Sequence, residues 1–163
     1  MAKVQGWPPR YLSPIAPTEL KRSRGTETVE FAEALCKITK DSIAGHAGEP
    51  LVFRGWQKEL TKHLFAVDNK NSLKYRRALI GLPRKQGKSA WLSAIVLEHL
   101  LLGPNGGESY SCAADRDQAK IVFEGCQDMA RALIADSESA ATIAHIVRPL
   151  IDHSPLVVDF IKP

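Results

Sequence analysis

Cysteine is scarce in this chain, with only Cys36, Cys112 and Cys126 among 163 residues. The count is odd and the spacings fit no metal-ligand cluster, so the thiols are expected to be buried or idle in a reducing cytosol. Long hydrophobic runs are also missing. The richest apolar stretch, around Leu100 to Leu102, is interrupted by Glu98 and His99. It falls well short of the roughly 20 residues that span a bilayer, and no membrane association is expected. Met1 to Tyr11 lack the apolar core of a secretory signal. No repeat or low-complexity tract is present. The histidines (His46, His63, His99, His145 and His153) show no ligand spacing, and no nucleophile-elbow pattern occurs. Hydrophobic residues at 44% and charged residues at 25% exclude a disordered or collagen-like chain.

Positive charge is concentrated at the front. Residues 1–106 hold 17 Lys and Arg against 9 Asp and Glu, whereas residues 107–163 hold 5 against 9. Such a basic half attracts phosphate-bearing partners, nucleotide or nucleic acid; the alternative is an ordinary solvated surface.

Pro8, Pro9, Pro14 and Pro17, followed by Lys21, Arg22 and Arg24, predict an extended basic arm over residues 1–25. Apolar spacing predicts helices from Thr26 to about Ile43 and from Trp56 to Val67. Arg77 to Leu82 is short, apolar and bounded by charge, as a buried parallel strand would be. It leads through Pro83 to Ser89 into an apolar helix, Ala90 to Leu102, which Gly103 and Pro104 stop. Tyr110 to Ala114 reads as a second strand. Asp115 is placed to cap a helix whose face is Ala119, Val122, Cys126, Met129 and Leu133. Ala140 to Ile151 is compatible with a helix and Leu156 to Ile161 with a third strand. This alternation predicts an α/β fold, with residues 26–135 as the domain and 136–163 as a weakly patterned tail.

Gly87-Lys88-Ser89 carries the strongest chemical signal. A triphosphate needs converging backbone N–H donors, a cation near its β- and γ-phosphates and a hydroxyl for Mg²⁺. Gly87 permits close backbone approach, Lys88 supplies the cation and Ser89 the hydroxyl. The usual phosphate-loop pattern is met imperfectly, because Leu82 stands where its first glycine belongs and Gly81 is one place early. Arg84 and Lys85 add charge; in a phosphate loop Arg84 is within reach of a γ-phosphate, and the alternative is a solvent-facing pair. Upstream, Trp56 offers a ring for stacking and Gln57 an amide for the adenine edge.

Three segments in order, Phe53-Arg-Gly-Trp-Gln57, Gly81-Leu-Pro-Arg-Lys-Gln-Gly-Lys-Ser89 and Cys112-Ala-Ala-Asp-Arg-Asp-Gln-Ala119, resemble the start of the large terminase subunit of tailed bacteriophages. These DNA-packaging motors join an N-terminal ATPase to an RNase H-like nuclease. The resemblance runs over roughly Leu51 to Met129. It implies a P-loop NTPase-like parallel sheet flanked by helices, incomplete in this chain, with ATP and Mg²⁺ as cofactors. Trp56 and Gln57 would lie in the adenine motif. Pro83 to Ser89 would be a variant Walker A that tolerates a non-glycine start, with Arg84 acting in cis on the γ-phosphate. Gln118 matches a glutamine-alanine pair of the family. Double-stranded DNA, a small terminase subunit and a portal protein are the implied partners, and the cytoplasm of a bacterial host the implied location.

Several family features are absent, the coupling motif and the cluster of nuclease carboxylates among them. No apolar strand ends in Asp-Glu, the pair that holds Mg²⁺ and activates water. Leu156-Val-Val-Asp159 imitates such a strand, but Phe160 replaces the glutamate, leaving Asp159 a poor second metal candidate beside Ser89. The expectation is therefore an N-terminal fragment or a prematurely ended reading frame of a packaging ATPase. The alternatives are a nucleotide- or polyanion-binding fragment without turnover, and a small P-loop kinase or helicase-like ATPase.

Overall fold

A computed structural model describes residues 6–42, 45–103 and 107–136. It contains five helices: α1 (Pro17–Lys21), α2 (Gly25–Leu35), α3 (Gly55–Leu64), α4 (Lys88–Leu102) and α5 (Arg116–Asp136). The described chain falls into two compact units. One combines the N-terminal residues through Ala34 with Val52–Arg84; the other combines Leu35–Leu51 with the residues from Lys85 onward.

The expected parallel sheet is not formed. Among the described residues there is no strand, only the isolated bridges Lys37 to Pro50, Ser42 to Gly45 and Val67 to Leu73. Arg77 to Leu82 is irregular, and Leu79 within it is fully exposed. Tyr110 to Ala114 is irregular as well, with Tyr110 69% exposed. The physical reason is that a short apolar run becomes a strand only when ladder partners take its N–H and C=O groups. Neither run has such a ladder. The expected helix at Ala140 to Ile151, the expected strand at Leu156 to Ile161 and Asp159 lie outside the described residues.

In the first unit the chain is irregular from Gly6 through Ala16 and then turns helical. Pro17 opens α1, and the Glu19 carboxylate accepts the Ala16 N–H at 3.0 Å. Tyr75 donates its hydroxyl to the Pro14 carbonyl at 2.7 Å, tying the arm to the chain ahead of residues 83–89. Helix α2 starts against the last turn of α3, at Gly25. A Cβ there would sit 2.5 Å from the Thr61 carbonyl oxygen, so only glycine lets the two backbones approach this closely. Phe31, Ala32, Phe53, Ala66 and Val67 are buried in this unit.

Helix α2 stops at Leu35, well before the expected Ile43. From Cys36 the backbone exchanges helical bonds for bonds to the segment after the Gly48 turn. Ile38 donates to Glu49 at 2.9 Å and Leu51 donates to Cys36 at 2.9 Å. The β-branched pair Ile38-Thr39 favours that extended course.

In the second unit α4 packs along α5. The Ser93 hydroxyl donates to the Val122 carbonyl at 2.9 Å. Trp91, Ala94 and Leu97 are buried on α4, and Ala119, Cys126, Met129, Ala130 and Leu133 on α5. The expected stripe on α5 is therefore present, except that Val122 is half-buried and Ala130 is buried.

Candidate functional site

The loop before α4 has an unusual backbone. Lys85 has φ of 61° and Gly87 has φ of 77°, so two left-handed residues flank Gln86 just before the helix begins at Lys88. For a lysine this conformation costs of order 1–3 kcal/mol and persists only where the surroundings hold it. Alternation of right- and left-handed residues turns successive N–H groups toward one side and creates a concavity suited to an anion. Gly87 also serves as N-cap, its carbonyl accepting the Trp91 N–H at 3.0 Å.

The first turn of α4 contains no acidic residue, leaving the positive end of the helix uncompensated by carboxylates of its own. Gly87 and Ser89 are exposed and Lys88 is half-buried. Lys85 is exposed beside them. The arrangement thus offers N–H donors, two ammonium groups and a hydroxyl. Arg84 is exposed too, but it is the last residue of the first unit.

Trp56 and Gln57 both sit in the first turn of α3, in the first unit, whereas Lys88 and Ser89 belong to the second. Trp56 is half-buried, and the backbone of Gly6 lies against it: a Cβ at Gly6 would be 3.5 Å from the indole Cδ1. Gln57 is 5% exposed, and its Oε1 accepts the Arg54 N–H at 2.8 Å. The carbonyl end of its amide is therefore committed to capping α3, and the N–H₂ end is not. Thr61, one turn on, is also buried and donates its hydroxyl to the Gln57 carbonyl at 2.7 Å. The buried face of α3 is consequently Gln57 and Thr61, one residue along from the apolar stripe Trp56, Leu60 and Leu64. Gln118 is exposed, and its N–H bonds to the Asp115 carboxylate at 2.9 Å, which caps α5.

A nucleotide-bound Mg²⁺ would find one oxygen donor in the loop, Ser89. Among the described residues no cluster of three His, Cys, Asp or Glu could hold a metal ion. These residues fit an ion carried mainly by phosphates and water, with Ser89 as a single protein ligand, and do not make a protein cage.

The sequence reading missed the left-handed Lys85; a bulky side chain at φ above zero has no signature in composition. It also missed the capping role of Gln57, although a glutamine three residues into a helix is a known capping signal. No family model, no curated protein and no solved structure matches this chain.

Proposed function

We propose that this chain binds Mg-ATP through the 85–89 loop and serves as the nucleotide-binding N-terminal portion of a phage DNA-packaging ATPase. The observation that carries the nucleotide reading is the pair of left-handed residues, Lys85 and Gly87, placed immediately before Lys88 and Ser89 at the start of α4. Backbone N–H groups of the loop would bind the β-phosphate, Lys88 would bridge the β- and γ-phosphates, and Ser89 would donate its oxygen to Mg²⁺. Mg²⁺, when bound, neutralises phosphate charge. The packaging assignment is supported by the order of the three resembling segments between Phe53 and Ala119.

Binding without appreciable turnover is the second reading. It is favoured by the sequence at Asp159-Phe160, where the water-activating glutamate of the resembling family is missing. Titration of a fluorescent ATP analogue into the parent chain and Lys88→Ala tests the nucleotide reading. Loss of one charge-assisted contact is expected to weaken binding by about tenfold or more. Equal affinities would overturn it.

A further inference from the structure

The net positive charge of the chain belongs to its first unit. Residues 1–34 and 52–84 carry 13 Lys and Arg against 6 Asp and Glu, whereas the remainder carries 9 against 12. Within that unit the basic residues are gathered further by hydrogen bonds between distant segments. Arg22, just after α1, donates to the Asn69 side chain at 2.7 Å. Lys74 pairs with Glu19 of α1 at 2.7 Å. The Arg24 N–H bonds to the Phe65 carbonyl at 3.2 Å, and Tyr75 is fastened to Pro14. The end of α1 is thereby laid against the 66–77 hairpin, whose base is the Val67 to Leu73 bridge.

These links bring together two basic clusters some fifty positions apart. Residues 14–24 and 66–77 contain seven Lys and Arg against two acids. Both acids are already engaged: Glu19 holds Lys74, and the Asp68 carboxylate accepts the Lys70 and Ser72 N–H groups at the hairpin tip. Lys21, Arg22, Arg24, Lys70, Arg76 and Arg77 are all exposed, and among the described residues no carboxylate pairs with any of them. Like charges gathered on one face repel one another, and a polyanion relieves that repulsion.

We propose that this face, formed by Lys21, Arg22, Arg24, Lys70, Arg76 and Arg77, is a docking surface for the phosphate backbone of a nucleic acid. Four of the six are arginines, whose planar guanidinium matches phosphate in a two-pronged fork better than a lysine does. The backbones that carry them are fastened on both sides, so little ordering entropy is lost when a regular array of phosphates arrives. A membrane surface fits less well, since binding there adds apolar anchors to basic charge. Leu73, 42% exposed, is the one exposed large hydrophobic side chain of the 66–77 hairpin, and the fully exposed Leu79 follows two residues after Arg77. Two isolated leucines beside six charges make no amphipathic anchor. Backbone contacts of this kind read no sequence.

The test is fluorescence anisotropy with short DNA duplexes of two unrelated sequences, titrated at several salt concentrations. If all six residues meet phosphates, log K should fall with log salt at a slope of about −5. The triple variant Arg22→Gln, Arg76→Gln and Arg77→Gln should bring the slope to about −3 and weaken binding by about tenfold or more. A control triple in the second unit, Lys40→Gln, Lys120→Gln and Arg131→Gln, should keep the parent slope. Circular dichroism checks the helices; should the first triple unfold, Arg76→Gln and Arg77→Gln singly, both in irregular exposed chain, are each expected to lower the slope by about 0.9. A slope unchanged by these variants overturns the proposal, as does an equal loss in the control. Variant-sensitive binding to phosphatidylserine vesicles with none to duplex overturns it in favour of a membrane. The nucleotide reading is tested separately, because Lys88→Ala should weaken ATP binding by about tenfold or more and leave duplex binding intact.

Discussion

Gly25 of α2 meets the backbone of Thr61 in α3 so closely that a methyl group at Gly25 would lie 2.5 Å from the Thr61 carbonyl oxygen and 2.6 Å from the Lys62 Cα. Both neighbours are backbone atoms of a helix and cannot rotate aside. Ser23 reinforces the contact: its hydroxyl donates to the Lys62 carbonyl at 2.6 Å and accepts the Gly25 N–H at 3.0 Å.

Gly25→Ala is therefore expected to destabilise the chain, although alanine is the better helix former by about 1 kcal/mol. Forcing the helices apart should cost about 1–3 kcal/mol. Chemical denaturation of the two proteins measures it. A midpoint at or above that of the parent would show that the contact is looser than described.

The α4–α5 contact makes a contrasting case, because its neighbour is a side chain. A Cβ at Gly125 would stand 2.5 Å from Ser93 Oγ and 3.2 Å from Ser93 Cβ. Gly125→Ala should cost about 1–3 kcal/mol, and Ser93→Ala, which loses the bond to Val122, about 0.5–1.5 kcal/mol. In the double variant the worst overlap is gone. Its loss should be smaller than the two single losses together by about 1 kcal/mol, as a double-mutant cycle would read. Strict additivity would mean that the two positions do not touch.

Much of the helical content was legible from the sequence, and the failures have identifiable causes. Helix α4 is a long apolar stretch stopped by Gly103, whose N–H bonds back to the His99 carbonyl at 2.9 Å. Helix α5 shows an apolar face at regular spacing. Both features are local, so they survive in any tertiary setting. A strand is different. Ala78-Leu79-Ile80 has the composition of a buried strand, yet its pairing depends on distant segments, and Leu79 is solvent-exposed. The polar face of α3 escaped for a related reason: Gln57 and Thr61 are buried because they satisfy one another's neighbourhood, which no apolar period reveals. Of the candidate site, residues 85–89 were visible as a motif. The basic face was not, because Arg22 and Asn69 lie 47 positions apart and meet only after folding.

The three thiols should react in a fixed order. Cys112 is exposed, whereas Cys36 and Cys126 are buried. Burial pushes the Cys36 thiol up to about 12, with the nearby Cys126 adding a smaller push, and burial alone raises Cys126 to about 11. At pH 8 native protein should take up a single equivalent of iodoacetamide, at Cys112, and two more only after denaturant is added. Mass spectrometry of the alkylated peptides checks this. The same shifts destabilise the fold in alkali. Since the folded pKa values lie above the ordinary value of 9.0, the contribution is intact below pH 9 and is lost as pH rises toward 11 and 12. Replacing both residues by alanine should flatten that part of the pH–stability curve.

Gly87 offers a backbone test of the proposed phosphate loop. At φ of 77° an alanine is strained, and Gly87→Ala should cost about 1 kcal/mol of stability. If the N–H concavity binds phosphate, ATP affinity should fall along with it, and inorganic triphosphate should lose affinity by the same factor. Loss of stability with unchanged affinity for both ligands would assign the left-handed turn to folding alone.

Gln57 needs a subtler substitution, because its two amide ends have different work. The carbonyl end accepts the Arg54 N–H, so Gln57→Ala removes a helix cap and should cost about 0.5–2 kcal/mol before any question of adenine arises. Lost selectivity in that variant would be ambiguous. Gln57→Glu keeps an acceptor for the Arg54 N–H, and glutamate is the commonplace residue at this capping position, where the helix N-terminus also favours its charge. What it removes is the N–H₂ donor, the half of the amide that can pair with the acceptor nitrogens of an adenine. A base-reading role therefore predicts a reduced preference for ATP over GTP with inorganic triphosphate binding unchanged, whereas a carboxylate at a position only 5% exposed is expected to lower the melting temperature. Calorimetric titration of the three ligands against both proteins decides it. An ATP to GTP ratio identical in parent and Gln57→Glu would leave Gln57 as a capping residue of α3 and nothing more.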